Sequence, residues 1–231
     1  MFLRAQRIQP LLDTELPFYE ILLGVKDDHG KTTSPEPFIL AAEKYKKNVI
    51  VDTWVVSQVI DWMRYNPDNL KKLSGFNVNL SGHSLSDNQF MEFLEQQFRQ
   101  GGFPASKICF EITETAAVLN INYTADFMRE MKRSGCYFAL DDFGTGFSSY
   151  AYLQKLPVDF LKIDGVFVRD INENMTNYAM VKSISELSRF LGMATIAECV
   201  EDQAGLDALN EIGVEYVQGF HIEKPLLLTD L

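Results

Sequence analysis

From residue 107 onward the chain repeats one pattern, a short apolar run and then an amphipathic stretch that closes on glycine. The runs KICFEIT (107–113), YFALDD (137–142), DFLKID (159–164), ATIAECV (194–200) and EYVQG (215–219) are nearly continuous in apolar residues, as strands buried on both faces are. The stretches TADFMREMKRSG, MTNYAMVKSISELSRFLG and DQAGLDALNEIG end on Gly135, Gly192 and Gly213, where a helix stops readily. Strand–helix alternation requires parallel strands joined by crossovers, an α/β fold. The first half adds FYEILLGV (18–25), FNVNLS (76–81), a weaker first strand over 3–10, and the helical patterns PFILAAEKYKK, VIVDTWVVSQVIDWMRY and SLSDNQFMEFLEQQFRQGG. Eight candidate strands in 231 residues predict a (β/α)8 TIM-type barrel, with an open doubly wound sheet as the alternative. The length suits one large core, so 1–231 reads as a single domain cut from a longer protein.

Charge limits the partners. The formal net charge of −11 is wrong for a protein that reads the backbone of a DNA or RNA duplex. It still permits a small phosphate compound, provided cations stand between the carboxylates and the phosphates. No stretch approaches the roughly 20 apolar residues that cross a bilayer, and MFLRAQRIQP lacks a cleavable leader pattern. The domain is therefore expected to make no membrane contact, even where a parent protein is membrane-anchored. Cys109, Cys136 and Cys199 form an odd set with no CxxC spacing, which argues against disulfides or zinc. They read as small core residues of a cytoplasmic protein.

The acids fall at strand ends. Glu111 follows ICF, Asp141 and Asp142 close the next run, Asp164 follows Lys162, Glu198 and Glu201 follow ATIA, and Gln218 follows EYV. Glu20 and Asn79 lie in the two earlier runs. Residues at the C-terminal ends of barrel strands converge on one mouth. Bare carboxylates gathered there repel and raise each other's pKa values. Lys162 supplies one positive charge, and divalent cations are the natural remainder. An all-oxygen donor set selects hard ions such as Mg²⁺, Mn²⁺ or Ca²⁺. Two such ions roughly 3.5–4 Å apart clamp a phosphoryl group, and the adjacent pair Asp141-Asp142 suits such a site. Any single acid is more simply a helix cap or a surface residue, and Asp142 or Ser148 could be a plain cap. The set, followed by the glycine-rich turn DFGTG, resists that reading. DFG here has no accompanying kinase motifs.

The segments YEILL, FNVNLSG, FEITET, ALDDFGTGFSSY, LPVDFLKIDGVFV, TIAECVE and YVQGFHIEKP, in this order, resemble the EAL-domain phosphodiesterases, which linearise cyclic di-GMP to pGpG. The resemblance covers essentially the whole chain. It implies a barrel whose first strand is antiparallel, two Mg²⁺ or Mn²⁺ ions, inhibition by Ca²⁺, and a homodimer coupled to the loop after Asp142. It assigns Glu20, Asn79, Glu111 and Asp141 to the first metal. Asp142 goes to the second, with Asp141 bridging, and Glu198 to a metal or the attacking water. Lys162 is assigned to the water or phosphate region. Gln218, Asp164 and Leu23 are assigned to the substrate, Glu114 to anchoring the loop after Asp142, and Glu201 to supporting Lys162. Two positions depart from the family. Gly24 stands where an arginine usually contacts the substrate, and Cys199 replaces a common glycine. Gly24→Arg is accordingly expected to tighten substrate binding. The hydrolase reading stands beside two others, a cyclic di-GMP receptor that does not cleave and an inert scaffold.

Overall fold

The structure, a computed structural model, describes residues 1–12, 14–146 and 150–231. Ten strands are present among them. They are β1 (Phe2–Pro10), β2 (Phe18–Lys26), β3 (Thr32–Thr33), β4 (Gly75–Asn79), β5 (Ile108–Thr113), β6 (Tyr137–Phe143), β7 (Phe160–Ile163), β8 (Ala194–Ala197), β9 (Tyr216–Gln218) and β10 (Leu226–Leu227). Strands β2 and β4 to β9 pair in parallel in chain order. The circle is closed by β1, which runs antiparallel to both β2 and β9. This is an eight-stranded barrel with its first strand reversed. The two-residue strands β3 and β10 extend β2 and β1 outside it.

Strand parity sorts the side chains. One parity packs outward under the helices, where Phe76, Ile108, Phe110, Phe138 and Leu161 meet Val56, Ile60, Met63, Leu94 and Met128. Each such side chain contributes about 1.5–3 kcal/mol on burial. The other parity faces the barrel axis. Its lower layer is apolar: Ile8, Phe18, Cys109, Ala139, Phe160, Ile196 and Tyr216. Rings of Phe18, Phe160 and Tyr216 meet edge to face at 5.4–5.8 Å between centroids. The upper layer, toward the C-terminal ends of the parallel strands, is polar.

Two readings of the sequence are corrected. SLSDNQFMEFLEQQFRQGG is two helices, Gly82–Leu85 and Asn88–Gln100, because the Asp87 carboxylate accepts from the Phe90 amide at 2.9 Å and starts a new helix. The run ATIAECV is a strand only to Ala197, because Cys199 takes a left-handed φ of 55° that no strand continues.

The loop after β4 is held by Asp52 of the helix Asn48–Tyr65. Its buried carboxylate accepts from the Ser81 amide at 2.9 Å and the Ser84 hydroxyl at 2.6 Å. Burial raises the Asp52 pKa, and these hydrogen bonds partly offset that. Asp52→Ala strands both donors, at a cost of about 2–3 kcal/mol. A fall in Tm of roughly 5–10 °C is expected for a domain of this size. A thermal melt showing no shift would remove Asp52 from this role.

Candidate metal and phosphate site

The polar layer is built around Lys162. Its side chain is 1% exposed, and its ammonium lies 2.7 Å from Glu198, 2.9 Å from Glu111, 3.1 Å from Asp141 and 3.5 Å from Glu20. Five different strands or strand ends thus meet at one atom. Side-chain amides fix Glu20 and Glu111. Asn79 donates to Glu20 Oε1 at 2.8 Å and Gln218 to Glu20 Oε2 at 2.6 Å. Asn77 donates to Glu111 Oε1 at 2.7 Å.

Asp142 reaches this group through a local distortion. On a regular strand it would point away from Asp141. The β6–β7 register slips between Leu140 and Phe143, and Asp142 has a φ of 57°. A bulge with a left-handed residue re-aims a side chain, and such strain is characteristic of functional positions. As a result, Asp141, Asp142 and Glu198 each offer a carboxylate oxygen within 4.8 Å of the others.

The electrostatics follow from burial and crowding. Burial pulls the Lys162 pKa down, but Asp141, Glu111, Glu198 and Glu20 outweigh it and hold the ammonium above its ordinary value. Burial pushes Glu111 well above the usual carboxylate range against the pull of Lys162, with Glu20 and Asp141 adding to the rise. Burial likewise takes Glu198 to about 7, opposed by Lys162 and reinforced by Asp141 and Glu20. Asp142 is raised by burial and by its neighbours Asp141 and Asp164. One lysine therefore does not neutralise the cluster. The donor set fits hard divalent cations. It is all oxygen and has surplus negative charge, and three of its carboxylates, on Asp141, Asp142 and Glu198, offer oxygens within 4.8 Å of one another.

The other sequence candidates fall nearby. Glu114 is buried and accepts from the Gly144 amide at 3.3 Å and the Tyr152 hydroxyl at 2.6 Å. Asp164 caps the short helix Gly165–Val168 through the Val166 amide. Leu23 and Asn79 line a cavity of about 460 Å³ beside the mouth. Ser148 lies outside the described residues. Glu201 is not brought to Lys162. Its side chain is 63% exposed and lies 3.8 Å from Arg169, because the turn at Cys199 carries it away from the barrel axis.

Sequence reasoning missed Asn77 and Gln6. Asn77 shares the parity of Asn79 in FNVNL, a signal that was available. Gln6, opposite Glu20 in the β1–β2 register, accepts from Gln218 at 3.2 Å.

The two departures also have structural explanations. Cys199 is half-buried rather than a core thiol, unlike Cys109 and Cys136. Its left-handed backbone is the conformation glycine adopts most cheaply. Its sulfur covers Gly165, where a Cβ would overlap it. Gly24 lies under the ring of Phe2, its partner across β1–β2. A Cβ on residue 24 would overlap that ring, so Gly24→Arg alone must first displace Phe2. The pair Phe2→Ala with Gly24→Arg avoids the overlap.

Comparison with known proteins places this geometry in context. The family model described as "EAL domain" matches residues 1–225. The chain is 40% identical over 206 residues to the cyclic di-GMP phosphodiesterase PdeB of Shewanella oneidensis, covering 89% of this chain and 24% of that protein. It is 34% identical to the cyclic di-GMP phosphodiesterase PdeF of Escherichia coli, covering 92% and 28%. The chain thus spans about a quarter of the length of these relatives. Among solved structures, the PaMucR phosphodiesterase in complex with c-di-GMP superposes with a TM-score of 0.91 at 26% identity, covering 99% of this chain and 92% of that one. The FimX EAL domain from Pseudomonas aeruginosa, bound to c-di-GMP, gives 0.89 at 25% identity, covering 97% and 90%.

Proposed function

Because the chain belongs to the EAL domain family, we propose that it hydrolyses cyclic di-GMP to linear pGpG with the help of two divalent cations, Mg²⁺ or Mn²⁺. The observation that carries this is the convergence of Glu20, Glu111, Asp141 and Glu198 on one buried lysine, with Asp142 turned in beside them. Glu20, Asn79, Glu111, Asp141, Asp142 and Glu198 would hold the cations, with Asp141 shared. When bound, the cations supply Lewis-acid polarisation of the phosphodiester and a lowered water pKa. Lys162, fixed and permanently charged, offsets the negative charge that grows on the phosphoryl oxygens. Glu198, at the end of β8 and 2.7 Å from the Lys162 ammonium, is placed to orient the attacking water. Water adds to phosphorus, the P–O3′ bond breaks, and the 3′ oxygen leaves as a hydroxyl, giving a 5′-phosphate end. Gln218, Asp164 and Leu23 line the substrate side. Glu114 fixes the start of the loop after Asp142. The free thiols suit a cytoplasmic setting, and a homodimer is expected by light scattering.

Chromatography of product tests this. With Mg²⁺ or Mn²⁺ the domain is expected to release pGpG, and with Ca²⁺, which resists the tighter geometry, to release little. One observation favours a second reading, a receptor that binds without cleaving. The Phe2 ring closes the place of the usual arginine at Gly24. Measurable cyclic di-GMP binding with no product at high enzyme and Mn²⁺ would establish the receptor reading instead.

A further inference from the structure

The acidic mouth raises a question of charge. Cyclic di-GMP carries two phosphates, yet the cations around the mouth are mostly committed. Lys162 sits at the reacting centre, is shared with four carboxylates, and is a single charge for two phosphates. Arg169 lies 3.8 Å from Glu201, and Lys26 stands 5.6 Å over the Phe2 ring. Gly24 offers no side chain.

Arg4 is placed differently. In the antiparallel β1–β2 register, Gln6 faces Glu20, Arg4 faces Leu22 and Phe2 faces Gly24. Residues directly opposite share a sheet face, so Gln6, Arg4 and Phe2 climb the inner face of the barrel outward from the site. Arg4 lines the same cavity of about 460 Å³ as Leu22, Leu23 and the candidate ligand Asn79. Its guanidinium donates to the Pro225 carbonyl at 2.8 Å, and no carboxylate of the described residues pairs with it. A guanidinium has five N–H donors, so one bond to a neutral carbonyl leaves a charged fork available.

We infer that Arg4 grips a phosphate of the substrate at the rim of the barrel. This rests on the cyclic di-GMP reading above. Arg4 is a binding residue, one pleat above the ring of metal ligands, and acts on substrate affinity rather than on the reacting atoms.

The test is cyclic di-GMP binding by calorimetry in Ca²⁺, together with KM and kcat in Mn²⁺. The variants are Arg4→Gln, which keeps a donor for Pro225 but loses the charge, and Arg4→Lys, which keeps the charge. Arg4→Gln is expected to weaken binding and raise KM by roughly 10–100-fold, the range for a hydrogen bond to a charged group, with kcat little changed. Arg4→Lys should recover part of this. Arg7→Gln, of opposite parity and bonded to Gln9, should leave affinity unchanged. Wild-type affinity should fall more steeply with salt than that of Arg4→Gln. Unchanged affinity in Arg4→Gln overturns the inference while leaving the hydrolase reading intact. Equal losses in Arg4→Gln and Arg4→Lys with a lowered Tm make Arg4 a structural tie to Pro225 and also overturn it. A wild-type protein that neither binds nor cleaves cyclic di-GMP removes the substrate reading, and this inference with it.

Discussion

Lys162→Met is expected to destabilise the metal-free domain by about 3–5 kcal/mol at pH 8, the usual cost of removing one partner from a buried ion cluster, and by much less at pH 5. The methionine fills a similar volume, so packing is nearly kept and the loss is electrostatic. Glu111, Glu198 and Asp142 have folded-state pKa values raised above their unfolded ones. Between the two values the folded state binds more protons than the unfolded state, so stability falls as pH rises through that window. For Glu198 the window runs from its ordinary value of 4.5 to about 7. Lys162 stays charged throughout it, since its own pKa is raised. Removing the lysine leaves more unbalanced negative charge at pH 8 than at pH 5, where protons take its place. Urea midpoints in EDTA at both pH values check this, and equal losses at the two would contradict it. Mn²⁺ at pH 8 should restore most of what the variant loses.

Asp141→Asn is expected to separate activity from stability. The change is nearly isosteric and removes one charge. If Asp141 is shared between two cations, turnover should fall by roughly 10³-fold or more, at least the loss seen on removing one preorganised electrostatic contact. The same change relieves crowding around Lys162, which Glu20, Glu111 and Glu198 still neutralise. In EDTA at pH 8 the variant should therefore melt at or above the wild-type temperature. Activity sites commonly hold such unrelieved strain. A variant that loses activity only in step with its stability would show that Asp141 is a structural anion.

The barrel and the address of its acids could be read from the chain because both depend on simple periodicities. Continuous apolar runs give parallel strands, and an acid at the end of such a run lands at the mouth. Glu111, Asp141 and Glu198 were found this way, Glu20 was read inside an earlier run, and their meeting point is the Lys162 ammonium. The left-handed turns at Asp142 and Cys199 were not legible, because no spacing rule announces a positive φ at a residue other than glycine. Those two turns decide that Asp142 joins the site and that Glu201 leaves it. Gln6 was missed because it lies in the weakest strand pattern. The Phe2 ring over Gly24 could not be foreseen, since it depends on the exact β1–β2 pairing. That contact changes the meaning of the missing arginine from an empty place to an occupied one.

The apolar layer beneath Lys162 has a consequence of its own. Ile8, Phe18, Cys109, Ala139, Phe160, Ile196 and Tyr216 seal the barrel from below, so the charged layer rests on an insulating base. Water and ions can screen it from one side only. The field of the carboxylates is thereby directed outward along the barrel axis, and every neutralising species, whether proton or cation, has a single way in. The direction of traffic is thus set by hydrocarbon, before any group has touched a phosphate.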